Sequence, residues 1–203
     1  STSIELDSEN NPMIVFSGVT YIQSPSTYIY KLYFSSFNGT NWTVDELAQS
    51  SQGIGYSLDF ELNNTGIPYI SYYDPSDAQS LKIMSLVNGS WTDGEIVTTS
   101  SGYYDTNRNS ISMKFDSADN LHLSYYYISS QDLYYAYRGV GDSTFTYTPV
   151  NTLGSTGTMN SLVLDSNDNP HIAYYDDYYG ELDYAYCNSS CETSSSSWTS
   201  ERL

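Results

Sequence analysis

The chain has 203 residues, enough for one domain with a sizeable core. It carries 24 Asp plus Glu against six Lys plus Arg, and the net charge of −18 comes from missing cations rather than an excess of acids. A surface so poor in Lys and Arg argues against nucleic acid, anionic membrane and clustered-arginine anion sites, and no stretch reaches the roughly 18 apolar residues of a membrane span.

Four segments of the chain repeat one another. The first reads SIELDSENNPMIVFSG then YKLYFSSFNGTNWTVDEL. The second reads SLDFELNNTGIPYISYYD then LKIMSLVNGSWTDGEIV. The third reads SISMKFDSADNLHLSYYY then LYYAYRGVGDSTFTYTPV, and the fourth SLVLDSNDNPHIAYYDD then LDYAY and a stretch ending at Trp198. Trp42, Trp91, Phe145 and Trp198 are equivalent, as are Pro12, Pro68, Leu121 and Pro170. The repeats divide the chain at 1–55, 56–108, 109–159 and 160–203 within a single domain.

Each unit holds four short strand signals. In the fourth unit these are Leu162–Leu164, His171–Tyr175, Leu182–Tyr186 and Trp198–Arg202. Asp165 to Asn169 forms a turn between the first two, built from residues that hydrogen-bond their own backbone. No segment has an apolar 3.6-residue period, so the chain reads as all-β. Four-stranded units at this period are the signature of β-propeller blades, which bury their faces by stacking on neighbours. A β-sandwich would give no reason for four equivalent Trp/Phe positions. The expectation is therefore a β-propeller of four blades, each of four antiparallel strands. The chain opens on a first strand and closes on a fourth, leaving a closed four-bladed ring, half of an eight-bladed dimer, or part of a longer chain. The closed ring is favoured.

The repeat resembles a family of secreted bacterial and archaeal propeller repeats. Residues 161–176, SLVLDSNDNPHIAYYD, carry the resemblance best, with LDYAY at 182–186, PYISYYD at 68–74 and NGSWT at 88–92. The resemblance implies a propeller outside the cytoplasm, secreted or at the cell surface, and implies no catalytic residues. A weaker likeness joins Ser36 to Trp42 to the Asp-box of sialidase-type propellers, with Asn38 in place of Asp. A third likeness is to six-bladed fucose lectins, whose sites use an Arg and a Glu; Arg108, Arg138 and Arg202 fall at unrelated repeat positions, so fucose specificity is not expected.

The candidate ligand residues lie at the ends of the second strands and in one inter-blade stretch. They are Tyr72, Tyr73 and Asp74; Tyr125 and Tyr126; Tyr174, Tyr175 and Asp176; and Tyr103, Tyr104 and Asp105. Exposed tyrosine rings stack on apolar sugar faces and carboxylates accept from hydroxyls. The competing reading packs these rings between blades, since strand side chains alternate. The acidic turns Asp7/Glu9/Asn11, Asp116/Asp119/Asn120 and Asp165/Asn167/Asn169 read as hairpin turns, with calcium left open because no turn offers a full ligand set. No other metal or cofactor is expected. His122 and His171 share one repeat position, which fits packing rather than catalysis. Cys187 and Cys191 are expected to pair in an oxidising compartment. Sequons stand at Asn38, Asn41, Asn63, Asn88 and Asn188, no more than composition gives. These readings point to a non-catalytic extracellular propeller binding a surface glycan or protein. The alternative is a self-assembling structural subunit (homo-oligomer or polymer) of a filament, sheath or adhesin, and a glycoside hydrolase ranks third.

Overall fold

A computed structural model describes residues 1–99 and 110–203. The described chain is all-β, with seventeen strands and one short 3-10 turn. The first sheet has the order β1 (Thr2–Leu6), β2 (Pro12–Gln23), β3 (Ser26–Phe37), β4 (Trp42–Ser50). The second comprises β5 (Leu58–Leu62), β6 (Pro68–Asp74) and β7 (Ser80–Val87), with β8 (Ser90–Trp91) and β9 (Glu95–Thr99) both paired to β7. The third is β10 (Ile111–Phe115), β11 (Leu121–Tyr127), β12 (Asp132–Arg138), β13 (Thr146–Asn151). The fourth is β14 (Thr156–Leu164), β15 (Pro170–Asp176), β16 (Glu181–Cys187), β17 (Trp198–Arg202).

The strand plan expected from the repeat is present, with two local differences. The outer strand of the second blade is split, because the chain leaves the sheet after Trp91 and rejoins at Glu95. The first strand of the fourth blade begins at Thr156, ahead of Leu162, because two register shifts let β14 stay paired to β15. Gly157 makes that start feasible: its φ is +101°, and a Cβ there would lie 2.7 Å from the Leu133 Cα.

The turn joining the first two strands is built alike in all four blades. In three of them an Asp Oδ1 accepts from the N–H groups two and four residues on: Glu9 and Asn11 to Asp7, Ala118 and Asn120 to Asp116, Asn167 and Asn169 to Asp165. The Asn four residues on donates its side-chain N–H to Oδ2 in each. In the second blade Asn63 accepts from Thr65 and Ile67 in the same way. The fourth turn residue has positive φ throughout: Asn10, Gly66, Asp119 and Asp168. Asn, Asp and Gly are the residues that tolerate this conformation.

The chain divides into two compact units, 1–99 and 100–203. In the first, Met13, Val15, Leu32 and Phe34 of one blade meet Leu58, Phe60, Ile70, Tyr72 and Met84 of the next. In the second, Leu133, Tyr135 and Val150 meet Leu162, Ile172, Tyr174, Ala185 and Trp198. Burying such a side chain fully contributes about 1.5–3 kcal/mol, so the cores between blades dominate each unit's stability. The inner strand of the later blade packs on the earlier blade in both cases, β5 on β1 and β2, and β14 on β10, β11 and β12.

Candidate functional site

Most of the expected tyrosine positions that the structure describes are buried. Tyr72, Tyr73, Tyr125, Tyr126 and Tyr174 are buried, as are Asp74 and Asp176; Tyr175 is half-buried. The five buried rings offer no faces to a sugar, which fits packing between strands at those positions. A strand covered on both sides buries successive residues, so alternation does not expose every second ring. Tyr103, Tyr104 and Asp105 lie outside the described residues.

The buried acids have local partners. Asp74 accepts from the Ser76 N–H at 3.0 Å and pairs with Lys82 at 2.9 Å; Lys82 also reaches Asp77 at 2.6 Å. Burial opposes the charge on Asp74, but the bonds from Ser76 and Lys82 outweigh it and hold the carboxyl below its usual range. Asp176 accepts from the N–H groups of Tyr178 at 2.8 Å and Tyr179 at 3.1 Å, shaping the β15–β16 turn. In the first-to-second-strand turns, the Asn169 side chain and backbone bring Asp165 down to about 2. These carboxylates organise backbone, and among the described residues no cluster of His, Cys, Asp or Glu is arranged to hold a metal ion.

Both histidines stand between a tyrosine hydroxyl and a turn Asp, but only His122 hydrogen-bonds to both. His122 Nδ1 is 2.7 Å from Tyr135 Oη and its Nε2 3.3 Å from Asp116 Oδ2. His171 Nδ1 is 2.5 Å from Tyr184 Oη, with Asp165 Oδ2 at 3.8 Å from Nε2. Burial lowers the His122 pKa against the pull of Asp116, which favours a neutral ring donating from Nε2 and accepting from the tyrosine hydroxyl.

A groove of about 440 Å³ runs between β13 and β17, within the second unit. Pro149, Asn151 and Leu153 line one side, and Trp198 and Ser200 the other. Its volume falls in the ordinary range for small-ligand sites. Asn151 donates to Tyr174 Oη at 2.8 Å, fixing its amide in the groove wall. Arg202 follows Ser200 two residues along β17 and so shares its face. The Arg202 Nε lies 2.5 Å from Glu181 Oε2 and 3.8 Å from Asp183 Oδ1. Its guanidinium sits 4.0 Å over the exposed Tyr179 ring, which meets Tyr178 edge-on at 4.8 Å. Burial and the nearby Asp176 charge raise the Asp183 pKa, and Arg202 opposes them.

None of Tyr178, Tyr179, Glu181 and Arg202 was singled out by the repeat. Arg202 was set aside because no other blade has a cation there, and Tyr178 and Tyr179 occupy a turn whose sequence differs between blades. The signal available was local: two adjacent tyrosines before a glycine in a turn, where no neighbouring strand can cover both.

Cys187 and Cys191 form a disulfide at the β16 end, and the Trp198 indole N–H donates to the Cys191 carbonyl at 3.1 Å. Among the sequons, Asn38, Asn41, Asn88 and Asn188 are exposed, and the Asn38 and Asn63 amide oxygens accept from backbone N–H groups of their own turns. No helix of the described chain is long and apolar enough to cross a membrane.

No protein-family profile and no curated protein matches the chain. Solved structures do. An ulvan lyase, a polysaccharide lyase bound to -[GlcA(1-4)Rha3S]-, aligns over 98% of this chain and 56% of its own with TM-score 0.64 and 13% identity. A mutant of AofleA from Arthrobotrys oligospora aligns over 100% of this chain and 56% of its own, with TM-score 0.64 and 13% identity. The Aleuria aurantia lectin in complex with α-methyl-L-fucoside aligns over 98% and 59%, with TM-score 0.61 and 13% identity. This chain thus spans a little over half the length of these structures. Together with the four antiparallel sheets, the likenesses show the β-propeller fold.

Proposed function

We propose that the chain is a non-catalytic extracellular propeller that binds a glycan in the groove between β13 and β17. The observation that carries this reading is the exposed Tyr179 ring held beneath Arg202 and beside Glu181, with Arg202 two residues along β17 from Ser200 of the groove wall. Tyr178 and Tyr179 offer faces to the apolar side of a sugar ring, while Arg202, Glu181, Asn151 and Ser200 supply donors and acceptors for hydroxyls. Sugar-bound structures among those of similar fold support a glycan over a protein ligand. The engagement of Asp7, Asp116 and Asp165 in turns, of His122 between Tyr135 and Asp116, and of His171 with Tyr184 supports a binding role over a hydrolytic one. The disulfide and the resemblance to secreted repeats support a location outside the cytoplasm.

A glycan array followed by titration calorimetry tests the reading. Tyr179→Ala and Arg202→Ala are each expected to weaken binding at least about tenfold, about 1.4 kcal/mol. Unchanged binding in both variants would remove the groove from the account, and binding to no glycan would remove the reading itself. A second reading, a self-assembling surface subunit, is favoured by large apolar side chains exposed at Ile4, Trp42, Val44 and Val163.

A further inference from the structure

The hairpin of β2 and β3 is longer than its counterparts. Both strands run for 12 residues, whereas β6, β11, β12, β15 and β16 run for 7. The added stretches, Val19 to Gln23 and Ser26 to Tyr30, are rich in the β-branched and aromatic residues that favour extended chain, and Ser24 and Pro25 form the turn between them. β1 pairs with β2 as far as Phe16, and β4 pairs with β3 as far as Tyr30. Residues 19–29 therefore form a two-stranded ribbon that projects past the first sheet, and among the described residues its strands pair only with each other.

One face of the ribbon carries a row of tyrosines. The register sets Tyr21 opposite Tyr28 and Val19 opposite Tyr30, and side chains two residues apart share a face. Ring centroids stand 5.1 Å apart for Tyr21 and Tyr28, 6.4 Å for Tyr28 and Tyr30, and 5.3 Å for Tyr30 and Tyr56. Tyr21 and Tyr28 are 52% and 53% exposed, and Tyr30 and Tyr56 are half-buried where the row runs back to the sheet. Tyr56 comes from the segment after β4. Gly53 lets its ring lie there: the φ of Gly53 is +86°, and a Cβ would stand 2.0 Å from the Tyr56 Cε2. Cross-strand pairing of Tyr21 with Tyr28 steadies the ribbon by itself. It does not call for Tyr56, which a separate segment adds to the row.

Hydroxyls and an amide, not charges, border these rings. Tyr21 Oη is 2.7 Å from Ser26 Oγ, and Gln23, opposite Ser26, shares the face. Lys31 is the only charged residue of β2 and β3; it falls on the opposite face and pairs with Glu46 at 2.7 Å. An aliphatic protein surface laid on the row would strip water from the tyrosine hydroxyls and the Gln23 amide without replacing their hydrogen bonds. A pyranose offers an apolar face to a ring and hydroxyls to these groups. The ring spacing is close to the length of one sugar residue, so successive rings meet successive sugars. A uronate or sulfate would find no cation on this face, and the net charge of −18 repels it.

We propose that the β2–β3 ribbon is a carbohydrate platform, on which Tyr21 and Tyr28 stack successive residues of a neutral, extended polysaccharide while Tyr30 and Tyr56 hold the row in place. The site is separate from the groove between β13 and β17 and does not depend on it. All of its parts belong to the unit 1–99, so the unit builds the platform by its own strand pairing. The rings already stand in a row before a ligand arrives, which lowers the ordering cost of binding.

Depletion isotherms on insoluble cellulose, chitin and mannan test it. The wild type should be retained on at least one of the three, with little change between low and high salt. Polygalacturonate added as a charged competitor should not displace it. Tyr21→Ala and Tyr28→Ala should each weaken retention about tenfold, the effect of losing one anchoring ring, and the double variant should abolish it. Tyr21→Phe with Tyr28→Phe keeps both ring faces and should retain most of the binding. Thr20→Ala with Thr27→Ala, on the other face of the ribbon, should bind as the wild type does. Circular dichroism reports the folding of every variant, and calorimetry of the groove ligand on the same proteins shows failure of either site by itself. Retention on none of the three polymers overturns the proposal and leaves the ribbon to a protein partner. So does a double alanine variant that binds as well as the wild type, or displacement by polygalacturonate.

Discussion

The two units solve the same packing problem with different chemistry. In the first, the contact between blades is apolar: Val15 and Leu58 join a cluster of Phe, Met and Leu. At the matching positions of the second unit stand Ser124 and Asn160, joined at 2.7 Å and buried. The Asn160 amide also donates to the Ser110 and Gly157 carbonyls at 3.1 and 2.9 Å. Met13 of the first unit is likewise replaced by His122, held between Tyr135 and Asp116. An apolar contact tolerates small changes of shape, whereas a buried polar network is costly to leave half-made. The second unit also carries the disulfide and the groove, so the blade pair held by directional bonds is the one that presents the candidate ligand site.

The comparison is broken most forcefully at Trp198. Trp198→Ala should cost about 3–5 kcal/mol by chemical denaturation, because the ring fills the space between Tyr135 and the disulfide. Asn160→Ala should cost about 3 kcal/mol by leaving Ser124, Ser110 and Gly157 short of partners. The double change Ser124→Val with Asn160→Leu, which installs the first unit's chemistry, should cost less than Asn160→Leu alone. Replacing both cysteines by serine should cost about 2 kcal/mol, the chain-entropy value for so short a loop, and calorimetry would locate it in the second unit.

Alkaline pH sharpens the same contrast. Burial pushes the Tyr72 hydroxyl up to about 12 and raises Tyr125, Tyr135 and Tyr174 as well. Their folded pKa values lie above the unfolded value near 10, so their stabilisation is complete below pH 10 and is lost as pH rises beyond it. Each contributes a slope of about 1.4 kcal/mol per pH unit. Three of the four lie in the second unit, which should unfold first in a titration followed by tyrosinate absorbance. The smallest effect belongs to Trp42→Ala, under about 0.5 kcal/mol in the single chain, although Trp42 and Trp198 share a repeat position.

That last pair also marks what the sequence could and could not disclose. Pro12, Pro68, Leu121 and Pro170 each open the second strand of their sheet, so the repeat located the strands, and the Asp and Asn residues of each first turn located the hairpins. Burial was not legible in the same way. Tyr72 and Tyr73 are adjacent and both buried, because the strand is covered on both sides, and no alternation rule reports that cover. Trp42, Trp91 and Trp198 look alike in sequence and differ in structure, since exposure depends on which blade lies against them. The Tyr179–Arg202–Glu181 cluster was hidden for the opposite reason: it belongs to one blade, and a repeat alignment discards what does not recur.

The central claim is that a neighbouring blade, and not the residue itself, decides the environment of each repeat position. Fluorine NMR of chain labelled with 5-fluorotryptophan tests it directly, since three tryptophans give three signals. With a soluble paramagnetic probe in dilute solution, Trp42 should broaden most, Trp91 less and Trp198 least. A Trp42 signal as protected as that of Trp198 would contradict the account.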